Sequence, residues 1–142
     1  MAELYNSVDA FVLPTRGEGW GLPAIQAMAM GLPTISTDWG GQQEFMTPQN
    51  SFLIRLDSVE ELPLDSVYRY ARGKKWATPS LAHTRELMKL VYAHPQLAKA
   101  VGRRARRDVQ ARFSEEAVAD VVDRRLQAIR RLVQRRAAAK QG

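Results

Sequence analysis

Glu18 is the side chain in this sequence best placed to do chemistry, because it lies in a glycine-rich turn. Its glycine neighbours are Gly17, Gly19 and Gly21. The apolar run Phe11–Leu13 before the turn predicts a buried strand, and helix-favouring residues follow from Leu22. A strand, a glycine turn and a helix together point backbone N–H groups towards an anion. The pattern fits either a phosphate or nucleotide site, or a plain turn that uses glycine for steric reasons.

The turn does not carry the dinucleotide-binding fingerprint, since the third glycine of G-x-G-x-x-G would fall at Leu22. Glu18 is a candidate catalytic carboxylate, and its alternative interpretation is a solvated loop residue. Glu44 follows a Gly-Gly pair, so it could cap a helix or contact a ligand hydroxyl. Trp20 and Trp39 could form walls of the same crevice, or serve as lids of the core.

Metal and thiol chemistry have no support in the sequence. The chain has no cysteine, and no Asp-x-Asp pair occurs in it. His83 and His94 are spaced for neither a zinc site nor a catalytic triad, so we expect both on solvated helix surfaces.

The segment 18–33, EGWGLPAIQAMAMGLP, resembles the E-x7-E segment of family-4 retaining glycosyltransferases with the GT-B fold. The similarity continues in the family's order through TDWGG at 37–41, EF at 44–45, GKKWATPS at 73–80 and ARFS at 111–114. It therefore spans most of the chain and resembles the carboxyl-terminal, donor-binding part of such enzymes.

The resemblance implies transfer of a sugar from a nucleotide-diphosphate donor, with retention and without a metal or other cofactor. Glu18 takes the position of the catalytic-site Glu beside the donor sugar. The positions that correspond to donor-binding residues are Gly17, Gly19, Trp20, Gly21, Leu22, Gln26, Gly41 and Glu44.

Two features depart from the family's pattern. The second Glu, which usually holds the ribose hydroxyls of the nucleotide, is replaced by Gln26. A carboxylate accepts hydrogen bonds from both hydroxyls with charge assistance, whereas a carboxamide has one neutral acceptor and a donor. The chain also lacks a counterpart of the family's acceptor domain and of the Arg and Lys that bind the diphosphate. We therefore expect glycosyl transfer only with a partner that supplies the missing half. The alternative is an inactive relic that serves as a structural subunit.

Alternating strand and helix patterns predict an α/β fold with a Rossmann-like partial parallel sheet. We expect three strands, at 10–13, 34–37 and 51–56, flanked by helices at 2–8 and 22–30, with a helical turn at 42–46. The predicted organisation is a βα core over 1–56, an irregular excursion over 57–79, and carboxyl-terminal helices over 80–142 that pack on the same domain. Aromatic and basic residues interleave in the excursion; we favour packing on the domain over binding of single-stranded nucleic acid.

Three helices are predicted in the last third. The first covers 79–93, is capped by Thr78 or Ser80 and has a stripe of Leu81, Thr84, Met88 and Val91. The second ends near Phe113. Ser114 caps the third, whose apolar face is opposite an arginine-rich one.

Charge is unevenly distributed along the 142 residues. The net charge is +6, but residues 1–102 carry −1 (nine basic, ten acidic) and residues 103–142 carry +7 (twelve basic, five acidic). The basic last helix suggests an anionic membrane surface as a possible partner. No signal-peptide pattern is present, so we expect a cytoplasmic protein that could be peripheral at a membrane.

The predicted sheet is small for its type. Doubly wound sheets usually carry about five or six strands, and bare edges of parallel sheets are unfavourable. We therefore expect a protein partner or a second copy to cover the open sheet edge.

Overall fold

The computed structural model describes residues 2–62 and 73–138, which divide into two compact units, 1–109 and 110–142. A three-stranded parallel sheet lies in the first unit. Its strands are β1 (Phe11–Leu13), β2 (Thr34–Thr37) and β3 (Phe52–Ile54), in the order β1-β2-β3. The five helices of the described residues are α1 (Ala2–Asn6), α2 (Leu22–Ala29), α3 (Leu81–Ala93), α4 (Pro95–Phe113) and α5 (Glu115–Ala138). The predicted α/β class and partial parallel sheet are confirmed.

The sheet is covered on both faces, as its apolar sequence requires. Val12 pairs with Ile35, which pairs with Phe52, so these side chains share one face. Leu87, Leu90 and Val91 of α3 pack against that face. Helix α2 packs on β1 and β2 and buries Ala24 and Met28 completely. Strand β2 is buried along its whole length because it lies in the centre of the sheet.

Strand β3 is shorter than predicted, because Arg55 leaves the sheet. The Arg55 N–H donates to Nδ1 of His83 at 3.0 Å, and the Arg55 carbonyl accepts from the Ser80 N–H at 2.9 Å. The first turn of α3 thus takes the backbone groups that a longer β3 would use. The expectation that His83 lies on a solvated helix surface was wrong in part, since the side chain is only partly exposed and its Nδ1 accepts the hydrogen bond at this break.

The irregular excursion predicted over 57–79 was wrong at both ends. Strand β4 (Leu56–Glu61) pairs antiparallel with β5 (Lys75–Pro79). The Gly and Pro residues of the segment led to the prediction of irregular structure. The pairing of β4 with β5 is not evident from the sequence of either strand alone. Glu60 accepts from Ser58 at 2.6 Å and Thr78 at 3.0 Å, and these hydrogen bonds lower the pKa of the Glu60 carboxyl. Tyr68 and Tyr70 lie outside the described residues.

The helix ends follow the sequence, but the predicted stripe of α3 was partly wrong. Ser80 caps α3 and Ser114 caps α5, each accepting from a backbone N–H in the first turn. Thr84 is buried and Val91 packs on the core as predicted, but Leu81 and Met88 are exposed, and Leu87 and Leu90 take their place on the inner side of α3. Apolar residues occur on two neighbouring rows of this helix, so periodicity alone did not select the inner one. No helix in the described ranges is long and apolar enough to cross a membrane.

Helix α4 approaches the chain between α2 and β2 very closely. A Cβ added to Gly102 would lie within 3.0 Å of the Gly31 carbonyl, which is backbone and cannot rotate away. Further along α4, Asp108 accepts from the Asn50 side chain at 3.0 Å. These two contacts set the position of α4 on the first unit.

Gly102→Ala should therefore destabilise the protein, although alanine is the better helix former by about 1 kcal/mol. The steric conflict with backbone should outweigh that gain and lower the free energy of unfolding by about 2 kcal/mol or more. Urea unfolding followed by circular dichroism measures the change. Gln96→Ala, at an exposed position of the same helix, is the matched control. A Gly102→Ala protein as stable as the control variant would contradict this packing.

Candidate functional site

The loop that contains Glu18 connects β1 to α2 at the carboxyl end of the parallel sheet. In open α/β sheets this edge is where ligands bind. The carboxyl end of β2 leads to Gly40 and to a 3-10 helical turn at Gly41–Glu44, which faces the same loop. The glycine residues and Glu18 are therefore held at the position that the fold makes available to a ligand.

Neighbouring elements hold the first half of the loop. The Thr15 carbonyl accepts from the Thr37 hydroxyl at 2.7 Å, which ties the loop to the end of β2. The Arg16 carbonyl accepts from the Ala77 N–H of β5 at 2.9 Å, and the Arg16 guanidinium carbon lies 4.8 Å from the centroid of the Trp76 ring. The hairpin that the sequence did not predict thus supports the glycine loop.

The second half of the loop lies directly against Gly40 and Gly41. The Gly41 N–H donates to the Glu18 carbonyl at 3.1 Å. A Cβ on Gly40 would lie 2.9 Å from that same carbonyl oxygen, and one on Gly41 would overlap the Gly19 carbonyl. Gly40 also has a φ of 89°, which disfavours other residues. The close approach of the two segments therefore depends on the absence of side chains at Gly40 and Gly41.

Gln42 is a functional neighbour that sequence reasoning missed. Its side chain is fully buried, and its amide nitrogen donates to the Ser36 hydroxyl and the Thr37 carbonyl. The Ser36 hydroxyl in turn donates to the Leu13 carbonyl at 2.9 Å. Gln42 thus links the 3-10 turn to the ends of β1 and β2. A polar residue just after a Gly-Gly pair was the available signal, but nothing in the sequence shows that it is buried.

Helix α2 presents an open amino terminus to the loop. Its N-cap is Gly21, with a φ of 90° and no side-chain capping hydrogen bond. A Cβ at Gly21 would lie 3.0 Å from the Gln42 Cβ, so packing as well as φ favours glycine here. Pro23 in the first turn has no N–H to donate, but no side chain caps this end, so the positive end of the helix dipole remains open to an anion.

Gln26 lies on α2 one turn beyond Leu22, on the same face of the helix. Both side chains are exposed. The hydroxyl of the buried Tyr5 lies 3.2 Å from both the Gln26 side-chain oxygen and the Pro23 carbonyl, so these two acceptors share its one proton. Helix α1 therefore contacts Gln26, which the sequence did not predict.

Trp20 and the two acidic residues, Glu18 and Glu44, differ in how far they are buried. Trp20 is 40% exposed, and its ring centroid lies 5.8 Å from that of Phe45. Glu18 is half-buried, whereas Glu44 is exposed at the end of the 3-10 turn. Trp20 thus rests on the core beside the loop, with part of its surface open.

Some of the predicted site residues are in direct contact with one another, and others lie further along the neighbouring elements. The loop from Gly17 to Gly21 and Gly41 form one contiguous surface through backbone contacts. Leu22 and Gln26 extend it along α2, and Glu44 extends it along the 3-10 turn. Their individual roles in binding and catalysis stay predictions. No group of His, Asp or Glu suited to a metal ion occurs within 2–62 and 73–138.

Comparison with known proteins tests the resemblance. Residues 1–64, just under half of the chain, match the family model described as "Glycosyl transferases group 1". A lipopolysaccharide core biosynthesis mannosyltransferase of Rhizobium meliloti is 46% identical over 61 residues, covering 41% of this chain and 17% of that protein. An uncharacterized glycosyltransferase of Sulfolobus islandicus rod-shaped virus 1 is 35% identical over 72 residues, covering 51% of this chain and 20% of that protein.

The fold agrees with these sequence matches. Sucrose-phosphate synthase of Thermosynechococcus elongatus superposes with a TM-score of 0.61 and 27% identity, over 92% of this chain and 27% of that one. Fold and sequence together support a resemblance to part of a GT-B glycosyltransferase. The chain spans about a fifth of the length of the curated relatives that it matches. The resemblance predicted from the sequence is confirmed.

Gly41→Ala should displace the Glu18 loop, because the added methyl group would occupy the place of the Gly19 carbonyl. We expect faster amide exchange over residues 15–21, with loss of about 1–3 kcal/mol of stability. Gly17→Ala is the matched control, since a Cβ there meets nothing within 4 Å. Unchanged exchange in the Gly41→Ala loop would show that the two glycine segments do not depend on each other.

Proposed function

We propose that this chain binds the donor of a glycosyl transfer, a nucleotide-diphosphate sugar, on the surface that the Glu18 loop and the Gly40–Gly41 segment form together at the carboxyl end of the sheet. The observation that carries the proposal is the contact between these two glycine segments. It leaves backbone bare of side chains at the carboxyl end of the sheet, next to the uncapped amino terminus of α2. Bare backbone and a helix amino terminus are suited to a sugar and a diphosphate.

Within this proposal Glu18 contacts the donor sugar, and the glycine backbone contacts sugar and diphosphate. Gln26 meets the ribose hydroxyls and Trp20 borders this surface. The transferred sugar leaves its diphosphate when the bond between the anomeric carbon and the phosphate oxygen breaks, so negative charge develops on the leaving group. In the described residues the guanidinium next to the loop, that of Arg16, is stacked on Trp76. We therefore propose that another polypeptide segment supplies the cations and the acceptor site, and that transfer proceeds with retention and without a metal.

A second candidate is a structural subunit derived from a glycosyltransferase and no longer active. The observation that favours it is the Gln26 side chain, which replaces a carboxylate and whose oxygen already accepts from Tyr5. A ribose hydroxyl would have to share or displace that hydrogen bond. Donor affinity distinguishes the two candidates.

The β1 edge is where we propose that a further strand pairs. In the described residues β1 pairs with β2 on one side only. A partner subunit or a second copy that adds a strand at this edge would pair with the outward-facing backbone groups of β1. Slow exchange of the Val12 amide in the assembled protein, and fast exchange in the separated chain, is the expected result. Slow exchange in the monomer would contradict it.

Calorimetry with uridine, guanosine and adenosine diphosphate sugars tests donor binding. We expect weak binding by the unmodified chain and tighter binding by Gln26→Glu, because a charged hydrogen bond adds roughly 1.5–3 kcal/mol, or about tenfold or more in affinity. Gln96→Glu adds the same charge on α4 and should change nothing. Micromolar binding by the unmodified chain would refute the prediction that Gln26 lowers the affinity for the donor. No binding by either protein would favour the structural candidate.

A further inference from the structure

One face of the β4–β5 hairpin carries a polar cluster beside the Glu18 loop. In the antiparallel register Ser58 lies opposite Thr78, and Glu60 lies opposite Trp76. Residues opposite each other, and residues two apart on one strand, point to the same face of a sheet. These four side chains therefore share one face, which we call the hairpin face.

Glu60 is held in place on the hairpin face by only one of its two oxygens. The Ser58 hydroxyl at 2.6 Å and the Thr78 hydroxyl at 3.0 Å both donate to Oε1 of Glu60. These hydrogen bonds, and then the positive charge of Arg16, lower the pKa of the Glu60 carboxyl, so the group is ionised at neutral pH. Within the described ranges the other oxygen, Oε2, has no hydrogen bond. Because Glu60 is exposed, this oriented oxygen is open to a ligand.

Arg16 adds hydrogen-bond donors near that oxygen. Its guanidinium carbon lies 4.8 Å from the centroid of the Trp76 ring, and its carbonyl accepts from the Ala77 N–H at 2.9 Å. Stacking on the indole holds the guanidinium over the hairpin face. Among the residues that the structure describes, Arg16 forms no ion pair with Glu60. The guanidinium N–H groups and the carboxylate oxygen are therefore close enough to interact electrostatically, yet they do not satisfy each other.

A donor and an acceptor in this arrangement match the hydroxyl groups of a sugar. A hydroxyl both donates and accepts, so neighbouring hydroxyls of one sugar can donate to Glu60 and accept from Arg16. A nucleic acid fits this strand less well, because β4 carries three carboxylates, those of Asp57, Glu60 and Glu61, which repel phosphates.

We propose that the hairpin face and Arg16 form a binding subsite for a neutral saccharide, part of the molecule that receives the transferred sugar. Arg16 lies two residues before Glu18, at most about 7 Å along the chain. A saccharide on the hairpin face is therefore beside the loop that we propose for the donor. The role as an acceptor subsite rests on that proposed function, and it adds contacts from this chain to those of the other segment.

Titration of the full chain with the methyl glycosides of glucose, galactose and mannose, followed by heteronuclear NMR, tests the subsite. The chain has three tryptophans, and Trp76→Phe assigns the indole N–H signal of Trp76. We expect this signal to shift with at least one glycoside. Glu60→Gln should weaken that binding by about tenfold, because a charged hydrogen bond becomes a neutral one. Glu61→Gln makes the same change on the opposite face of β4 and should leave the affinity unchanged.

The Ala77 amide reports whether the hairpin is intact, and it should exchange equally slowly in both variants and in the unmodified chain. A Trp76 signal that responds to no glycoside, or that responds equally in the Glu60→Gln chain, would overturn the proposal. So would a stronger response to an RNA oligonucleotide than to every glycoside. Uridine diphosphate glucose is titrated separately and followed at the amides of residues 17–21. Absence of that response refutes the donor site and with it the acceptor role, whereas absence of the Trp76 response refutes the saccharide subsite alone.

Discussion

The backbone of residues 18–20 lies directly against Gly40 and Gly41, and the organisation of the candidate site depends on that contact. Because side chains are absent from both segments, two loops that follow neighbouring parallel strands approach within hydrogen-bonding distance. The contact fixes the Glu18 backbone relative to the 3-10 turn that carries Glu44. It also sets Gly21, the N-cap of α2, against Gln42. One steric condition therefore brings the backbone of Glu18, an open helix end and a bare stretch of glycine backbone to the same end of the sheet.

Polar side chains at the ends of β1 and β2 make this arrangement rigid. Thr37, Ser36 and Gln42 all donate to backbone carbonyls or to each other beneath the loop. Buried polar groups are costly unless they are paired, so a network of this kind resists rearrangement. The Gln42 side-chain oxygen is buried and has no hydrogen-bond partner in the described residues. That oxygen lies next to Gly21, where the loop meets α2.

The structure of the second unit is set by patterns within one segment of the chain. Helix α5 is defined by its cap, its apolar face and its arginine-rich one, which are all readable along the chain. The site in the first unit depends instead on contacts between distant segments.

The sequence by itself determined the βα framework, the Ser114 cap and the place of Glu18 and its glycines after β1, because these follow from local patterns along the chain. The end of β3 and the β4–β5 hairpin were decided by tertiary structure. The Arg55 N–H is hydrogen-bonded to His83 of α3 and not to a neighbouring strand. Strand β4 is recognised as a strand by its antiparallel pairing with β5. The contacts of Gln42 and of Tyr5 with Gln26 likewise join residues whose proximity no local pattern encodes. Hydrogen bonds between distant segments depend on the folded arrangement of the backbone, so only the three-dimensional structure could assign them.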